Sequence, residues 1–345
     1  MQVGLLWLVM GLVVAHSSKL YQQGCLVLVT LPALYICVTR WRDIVERLDA
    51  NRALWYSVLA FCAWAALSSL WGEFKELYYF LMIGTFVLAV SVQRNIDYSV
   101  GLLLTAVFMT YQAATEYTRV RFGPADTGVY NPVMYGMFCG FLIVVTLNTI
   151  KPISLQALLC ASFGACLLAS ETRGAMLGVA VVVVMWPIWS RTPRACIASA
   201  LCVLAIACGI TYMVSVDAAT GRGWSHRDEL FAYSLQHLDA FGVGWGGSYK
   251  VFLPGGWELS HSHNLFTDIG LQIGLIGAAL WLLVMVTSMR AAWRNQQYVA
   301  LALWVFALTY GLFDVASPLN KFNYQWLLTW VPVALSMRRT YDRYE

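Results

Sequence analysis

The feature that most constrains this chain is a succession of apolar runs, most of them long enough to cross a bilayer and each bounded by polar or charged residues. Twelve such runs fall near residues 3–16, 24–39, 54–72, 77–92, 99–115, 131–149, 154–170, 173–190, 195–216, 263–288, 298–313 and 322–337. Hydrocarbon about 30 Å thick asks for about 20 apolar residues per helix, and the helix form follows because lipid offers the backbone no hydrogen-bond partners. The first two runs and the eleventh are short for this, which predicts tilted or partly interfacial helices. The expectation is an all-α, polytopic integral membrane protein with about 10–12 transmembrane helices. With 60% of its residues hydrophobic and 12% charged, the chain is far from the composition of a soluble domain.

No segment outside these runs is large enough to bury a core of its own, so residues 1–345 read as a single membrane domain. The N-terminal "MQVGLLWLV" carries no basic region and no small-residue cleavage site follows it, so it reads as a retained first helix. If the N-terminus is cytoplasmic, the inside loops hold 13 of the 22 Lys and Arg, as the positive-inside rule asks. The long segment 217–262 then lies outside as one long external loop. The net charge of +4 is accounted for by the inside loops and implies no nucleic-acid partner. All nine cysteines sit in apolar runs and read as small buried hydrophobes, not as disulfides or ligands.

Three re-entry points from the outer side share a pattern. "GVYNPVMYGMFCG" offers Asn131 as a cap before Pro132, "SETRGAMLG" offers Ser170 or Thr172, and "HSHNLFTDIGLQIG" offers Asn264. Each is followed by glycines four residues apart, Gly136 and Gly140, Gly174 and Gly178, Gly270 and Gly274, a small face suited to close packing. Helix N-termini carry free N–H groups and partial positive charge, so three converging on one cavity would suit an anion.

Arg173 stands at the boundary of two apolar runs, where a guanidinium is costly unless it is paired or lines a wet cavity. It reads either as a phosphate fork or as a snorkelling residue paired with Glu171. In the long loop, Leu230, Phe231, Leu235 and Leu238 recur at helical spacing, predicting a short amphipathic helix near 227–238. Arg222 and Arg227 precede it as a basic lid, with Asp228 and Glu229 in its first turn. Gly242, Gly244, Gly246 and Gly247 make a turn-rich segment that lets backbone approach a ligand, yet no strand–helix context supports a nucleotide fingerprint. His261 and His263 share a side of an extended segment. A metal pair would need a third ligand from Glu258 or Asp268 without any recognised spacing, so no metal and no cofactor is expected. A general base is the better reading, since an imidazole accepts a proton near neutral pH.

"TRG" opening an inner helix, "SHRDELF" and "FGVGWGG" in one long loop and "HSHN" opening the next helix together resemble the O-antigen ligase and polymerase superfamily of bacterial envelopes, over residues 131–277. The resemblance implies a glycosyltransferase of the inner membrane, working at the periplasmic face without metal or nucleotide, with 217–262 as its long periplasmic loop. It would take a glycan from an undecaprenyl diphosphate carrier and pass it to a hydroxyl of lipid A-core (a ligase, the preferred reading) or of another lipid-linked glycan (a polymerase). Membrane lipids are its other implied partners. By the same resemblance His263 takes the place of the base, with His261 as the unresolved alternative, and Arg173 and Arg227 those of the arginines that grip the diphosphate. Arg222 joins them from the lid. Arg119 and Arg121, in the loop "EYTRVRFGPADTG", suit either activity. A transporter or flippase of a lipid-linked anion is the competing reading from another class.

Overall fold

The computed structural model describes residues 1–15, 17–72, 78–93, 96–115, 132–204, 227–252, 258–314 and 317–338. These residues are almost wholly helical: α1 (Gln2–Val14), α2 (Ser18–Thr39), α3 (Trp41–Ala50), α4 (Arg52–Ser68), α5 (Tyr78–Ser91), α6 (Ser99–Thr115), α7 (Pro132–Thr149), α8 (Ile153–Ser170), α9 (Arg173–Ser190), α10 (Pro193–Leu204), α11 (Arg227–Gln236), α12 (Leu265–Arg294), α13 (Tyr298–Asp314) and α14 (Trp330–Ser336). A two-residue hairpin pairs Val251 with Leu259 and Phe252 with Glu258. The protein is thus an all-α integral membrane protein.

Among the described residues α2, α8, α9 and α12 are long and apolar enough to cross a membrane, and seven further apolar helices of 10–17 residues accompany them. A 13-residue helix such as α1 spans only about 20 Å at 1.5 Å per residue. The outward surface is apolar as well, with Val38 79%, Val107 63% and Leu201 62% exposed, which suits lipid and not water.

The expected last span, 322–337, is only partly helical. A 3₁₀ turn over Tyr324–Leu327 precedes the seven-residue α14. The side chain of Asn323 caps this turn by accepting from the Gln325 amide, and the Trp326 and Trp330 indoles donate to the carbonyls of Asn320 and Pro318. These side-chain bonds satisfy backbone groups that a continuous helix would have used.

Packing rests on aromatic and small residues. Trp281, Trp304 and Trp330 are fully buried, with Trp281 centred 5.0 Å from Phe61 and 5.3 Å from Trp330. Such pairs contribute about 0.5–1.5 kcal/mol each beyond burial. Gly140 of α7 and Gly178 of α9 both face the ring of Phe306, so α13 is clasped between those helices where a methyl group on either would collide. At the far end of α12 from its N-cap, Asn51 accepts from Arg294 and Asn295 and donates to the carbonyl of Met337, tying three elements together.

The 30-residue α12 is broken: Ile273 leaves helical geometry, and Gly274 adopts φ 76°, ψ 175°. The loop 239–243 fills the break. The Leu275 and Ile276 amides donate to the carbonyls of Asp239 and Ala240, the Leu271 carbonyl accepts from Val243, and the Trp64 indole donates to the Ile273 carbonyl. This is the place of "FGVGWGG". Its glycines do permit close backbone approach, but to helices: Gly242 (φ 67°) lies against Gly274, and Gly244 against Gly72 and Ser68 at the end of α4. The segment bolts the long loop onto the bundle.

Eight of the nine cysteines fall in described residues, and all eight are free.

Candidate functional site

The site is built where three helix N-termini meet the C-terminal end of α13. At α12, the Asn264 side chain accepts from the Phe266 and Thr267 amides at 3.0 and 3.2 Å, and its own amide donates to the Leu312 carbonyl at 3.2 Å. The cap therefore also registers α12 against α13. At α9, Gly174 packs against Tyr310 and Phe313. At α7, the Tyr310 hydroxyl donates to the carbonyl of Val133, while Gly136 abuts Ser170 and Thr172. Thr172 holds the N-cap position of α9 without a side-chain capping bond, because its hydroxyl and that of Ser170 bond each other. The expected cap at α9 is thus replaced by a serine–threonine pair that shapes the preceding turn.

The residue before Asn264 carries the chemistry. His263 has φ 54°, a left-handed conformation that histidine tolerates better than most side chains and that turns the imidazole back across the helix mouth. Its Nδ1 lies 2.7 Å from Oδ1 of Asp314, the last residue of α13. The other Asp314 oxygen, Oδ2, faces Arg227 Nη2 at 3.9 Å. A carboxylate at a helix C-terminus sits at the negative end of the dipole, so it needs these positively inclined neighbours. Asp314 was not among the residues picked out from the sequence. The signal for it exists: a lone acid closing the apolar run "ALTYGLFD" invites the same question as Arg173.

His261 lies beside His263, ring centroids 3.9 Å apart and planes tilted by 50°. Its Nδ1 is buried without a hydrogen-bond partner among the described residues. Burial foremost, and then the neighbouring His263, hold its pKa below the ordinary imidazole value, so it is neutral near pH 7. His261, His263 and Asp314 bring one ligand atom each to within 4.8 Å of one another. The third member of a possible metal set is therefore neither Glu258, which pairs with Lys250, nor Asp268.

Asp268 has a structural task. Fully buried in the first turn of α12, it accepts from the Tyr249 hydroxyl, from the Ser262 amide at 3.4 Å and from the Ser317 amide at 2.6 Å. One carboxylate thereby holds the loop, the histidine segment and the turn after α13. Burial and the Asp268 charge push the Tyr249 phenol well up, so it remains a donor.

Arg227 opens α11 and is half-buried, whereas Arg173 opens α9 and is exposed. Leu230 of α11 turns inward onto Val251 and Leu271, while Phe231 and Leu235 are 45% and 50% exposed. Asn131, Arg121 and Arg222 lie outside the described residues.

No family model matches the chain. Among curated proteins it is similar to an O-antigen ligase of Pseudomonas aeruginosa, 27% identical over 221 residues, which cover 60% of this chain and 54% of the relative. The chain thus spans about half the length of the curated relative it matches. The motifs that open α9, α11 and α12 and the curated relative point the same way, and by both the chain is similar to the O-antigen ligase superfamily.

Proposed function

We propose that the protein is a membrane glycosyltransferase that moves a glycan from an undecaprenyl diphosphate carrier to an acceptor hydroxyl at the periplasmic face of the bacterial inner membrane. O-antigen ligation to lipid A-core is the preferred form, and O-antigen or exopolysaccharide polymerisation the alternative. The observation that carries this reading is the shared carboxylate of Asp314, bonded to His263 through one oxygen and facing Arg227 through the other.

In this reading Asp314 orients the imidazole and stabilises the imidazolium that forms as His263 deprotonates the attacking hydroxyl. The hydroxyl oxygen bonds to the anomeric carbon as the bond to the diphosphate breaks. The leaving diphosphate gathers negative charge, which Arg173, Arg227 and the converging helix N-termini stabilise. A single in-line displacement inverts the anomeric centre and needs no carboxylate pair and no metal. The likeness to the Pseudomonas aeruginosa ligase supports the family-level activity.

The broken helix α12 is the one feature that favours a transporter, since transporters bind ions at such breaks. Here the loop 239–243 fills the break with backbone hydrogen bonds, which argues for a fixed scaffold.

The test is His263→Ala in a host that keeps the protein at normal membrane levels. Lipid-linked polymer accumulating with none on lipid A-core indicates a ligase, and a single repeat unit on the core indicates a polymerase. Unchanged surface polysaccharide sinks the base assignment. Purified protein that moves lipid-linked glycan across liposomes without making a glycosidic bond favours the transporter.

A further inference from the structure

The pairing of His263 with Asp314 accounts for one imidazole, but it leaves His261 unexplained. Its ring is held against His263, and its Nδ1 is buried with no hydrogen-bond partner among the described residues. A buried polar atom without a partner is costly and calls for an explanation, of which a water, an ion and a catalytic role are the usual ones. Within 4.8 Å stand ligand atoms of His263 and Asp314, brought in from a different helix 51 residues along the chain.

We propose that His261, His263 and Asp314 form a binding site for a borderline divalent cation of the Zn²⁺ class, and that its occupancy silences the site. Two imidazoles and one carboxylate are a donor set for such ions, which take nitrogen and oxygen at about 2.0–2.2 Å and keep a fourth position for water. A tetrahedral set at those bond lengths separates its ligand atoms by about 3.3–3.6 Å. The ligand atoms now lie within 4.8 Å of one another, close enough for small side-chain rotations to bring them to that separation. Glu258 and Asp268 are held by Lys250 and by Tyr249 and Ser317, which leaves His261, His263 and Asp314 as the set among the described residues.

The silencing follows from electron count. A neutral imidazole has one lone-pair nitrogen, and His263 either accepts the acceptor's proton on it or gives the pair to the metal. This consequence rests on the base assignment proposed above, whereas the binding itself does not. Arg227, 3.9 Å from Asp314 Oδ2, opposes a dication, so removing its charge should tighten the site.

Purified full-length protein in detergent, stripped with a chelator, is titrated with Zn²⁺ by calorimetry and with Co²⁺ by visible absorption. One equivalent with d–d bands of a low-coordinate Co²⁺ is expected. His261→Ala and Asp314→Ala should each weaken binding by more than the 10- to 100-fold that an outer-shell partner costs. Arg227→Gln should strengthen it, and Glu258→Ala should leave it unchanged. Absence of saturable binding, or binding that survives His261→Ala, overturns the site. If the variants do not fold, X-ray absorption at the zinc edge of the wild-type protein must read two imidazoles, and a different ligand count overturns it equally. Glycan transfer should fall with the same Zn²⁺ midpoint and return on chelation. Transfer that persists in Zn²⁺-loaded protein overturns the silencing alone, while transfer that persists in His263→Ala sinks the base reading and leaves the binding result standing.

Discussion

Asp314 Oδ1 meets His263 Nδ1 at 2.7 Å, joining the end of one helix to the mouth of another and leaving Asp314 Oδ2 turned toward Arg227. One carboxylate therefore acts on both the base and a cation of the site. Asp314→Asn preserves shape but removes the charge that stabilises an imidazolium. General base catalysis contributes about 10²–10⁴-fold, and the variant is expected to lose a large part of that in kcat with donor KM little changed. Steady-state kinetics on purified protein, alongside its membrane level in cells, checks this. A loss confined to KM would assign Asp314 to binding instead.

The apolar runs made the bundle legible, because lipid imposes the same demand on every crossing segment. What the runs hid were interruptions satisfied from elsewhere. Gly274 sits inside an uninterrupted apolar stretch, and the bonds that permit a break there come from Asp239, Ala240 and Val243, some 30 residues earlier. The end of the chain misled in the same way: "FNYQWLLTWVPVALSM" is apolar enough for a span, yet Asn323 caps a 3₁₀ turn within it and the Trp326 indole bonds the Asn320 carbonyl, so the span is not one continuous helix. At the site, local spacing exposed the histidines and Asn264, whose partners are near in sequence. Asp314 lies 51 residues from His263, a separation that periodicity does not bridge. The glycine-rich loop was legible as a place of close backbone approach, but what it approaches depends on tertiary structure.

The break in α12 gives a sharp stability prediction. A Cβ at Gly274 would overlap the Ala240 carbonyl oxygen, and its φ of 76° with ψ of 175° lies in a region open essentially to glycine. Gly274→Ala should cost at least about 2–3 kcal/mol and detach the loop that carries α11. Gly84→Ala is the control, because a Cβ there meets nothing within 4 Å. Thermal unfolding in detergent, with proteolysis of the loop as a second readout, should separate the two. Equal melting temperatures would contradict the docking of loop 239–243 in the break.

Asp268 is the second structural hinge of the site. Its oxygens receive three donors from three segments, so an amide in its place must turn its own NH₂ toward one of them. Asp268→Asn should destabilise by about 1–3 kcal/mol, the cost of leaving a buried donor unmet, whereas Tyr249→Phe removes a single bond for about 1 kcal/mol. Hydrogen exchange should show the difference in residues 258–264. Unchanged exchange there in Asp268→Asn would mean the histidine segment is held by Asn264 alone.

Arg227 and Arg173 should separate by what each neighbours. Arg227 faces Asp314, so its charge bears on the base as well as on a diphosphate, while Arg173 opens α9, whose next residue Gly174 packs against Phe313. Lysine keeps the charge but loses the planar fork that holds phosphate oxygens in pairs. Arg173→Lys is therefore expected to raise donor KM about tenfold, equivalent to about 1.4 kcal/mol, with kcat nearly intact. Arg227→Gln should raise KM and also lower kcat, since the leaving diphosphate loses a fixed cation as its charge grows. Arg227→Gln should respond less steeply to salt than the wild type, because it has one fewer cation for salt to screen, whereas Arg173→Lys keeps its charge and should keep the wild-type slope. Kinetics with a lipid-linked diphosphate donor at two ionic strengths measures all three quantities, and a variant pair with identical kcat and KM would show that the two arginines serve the donor in the same way.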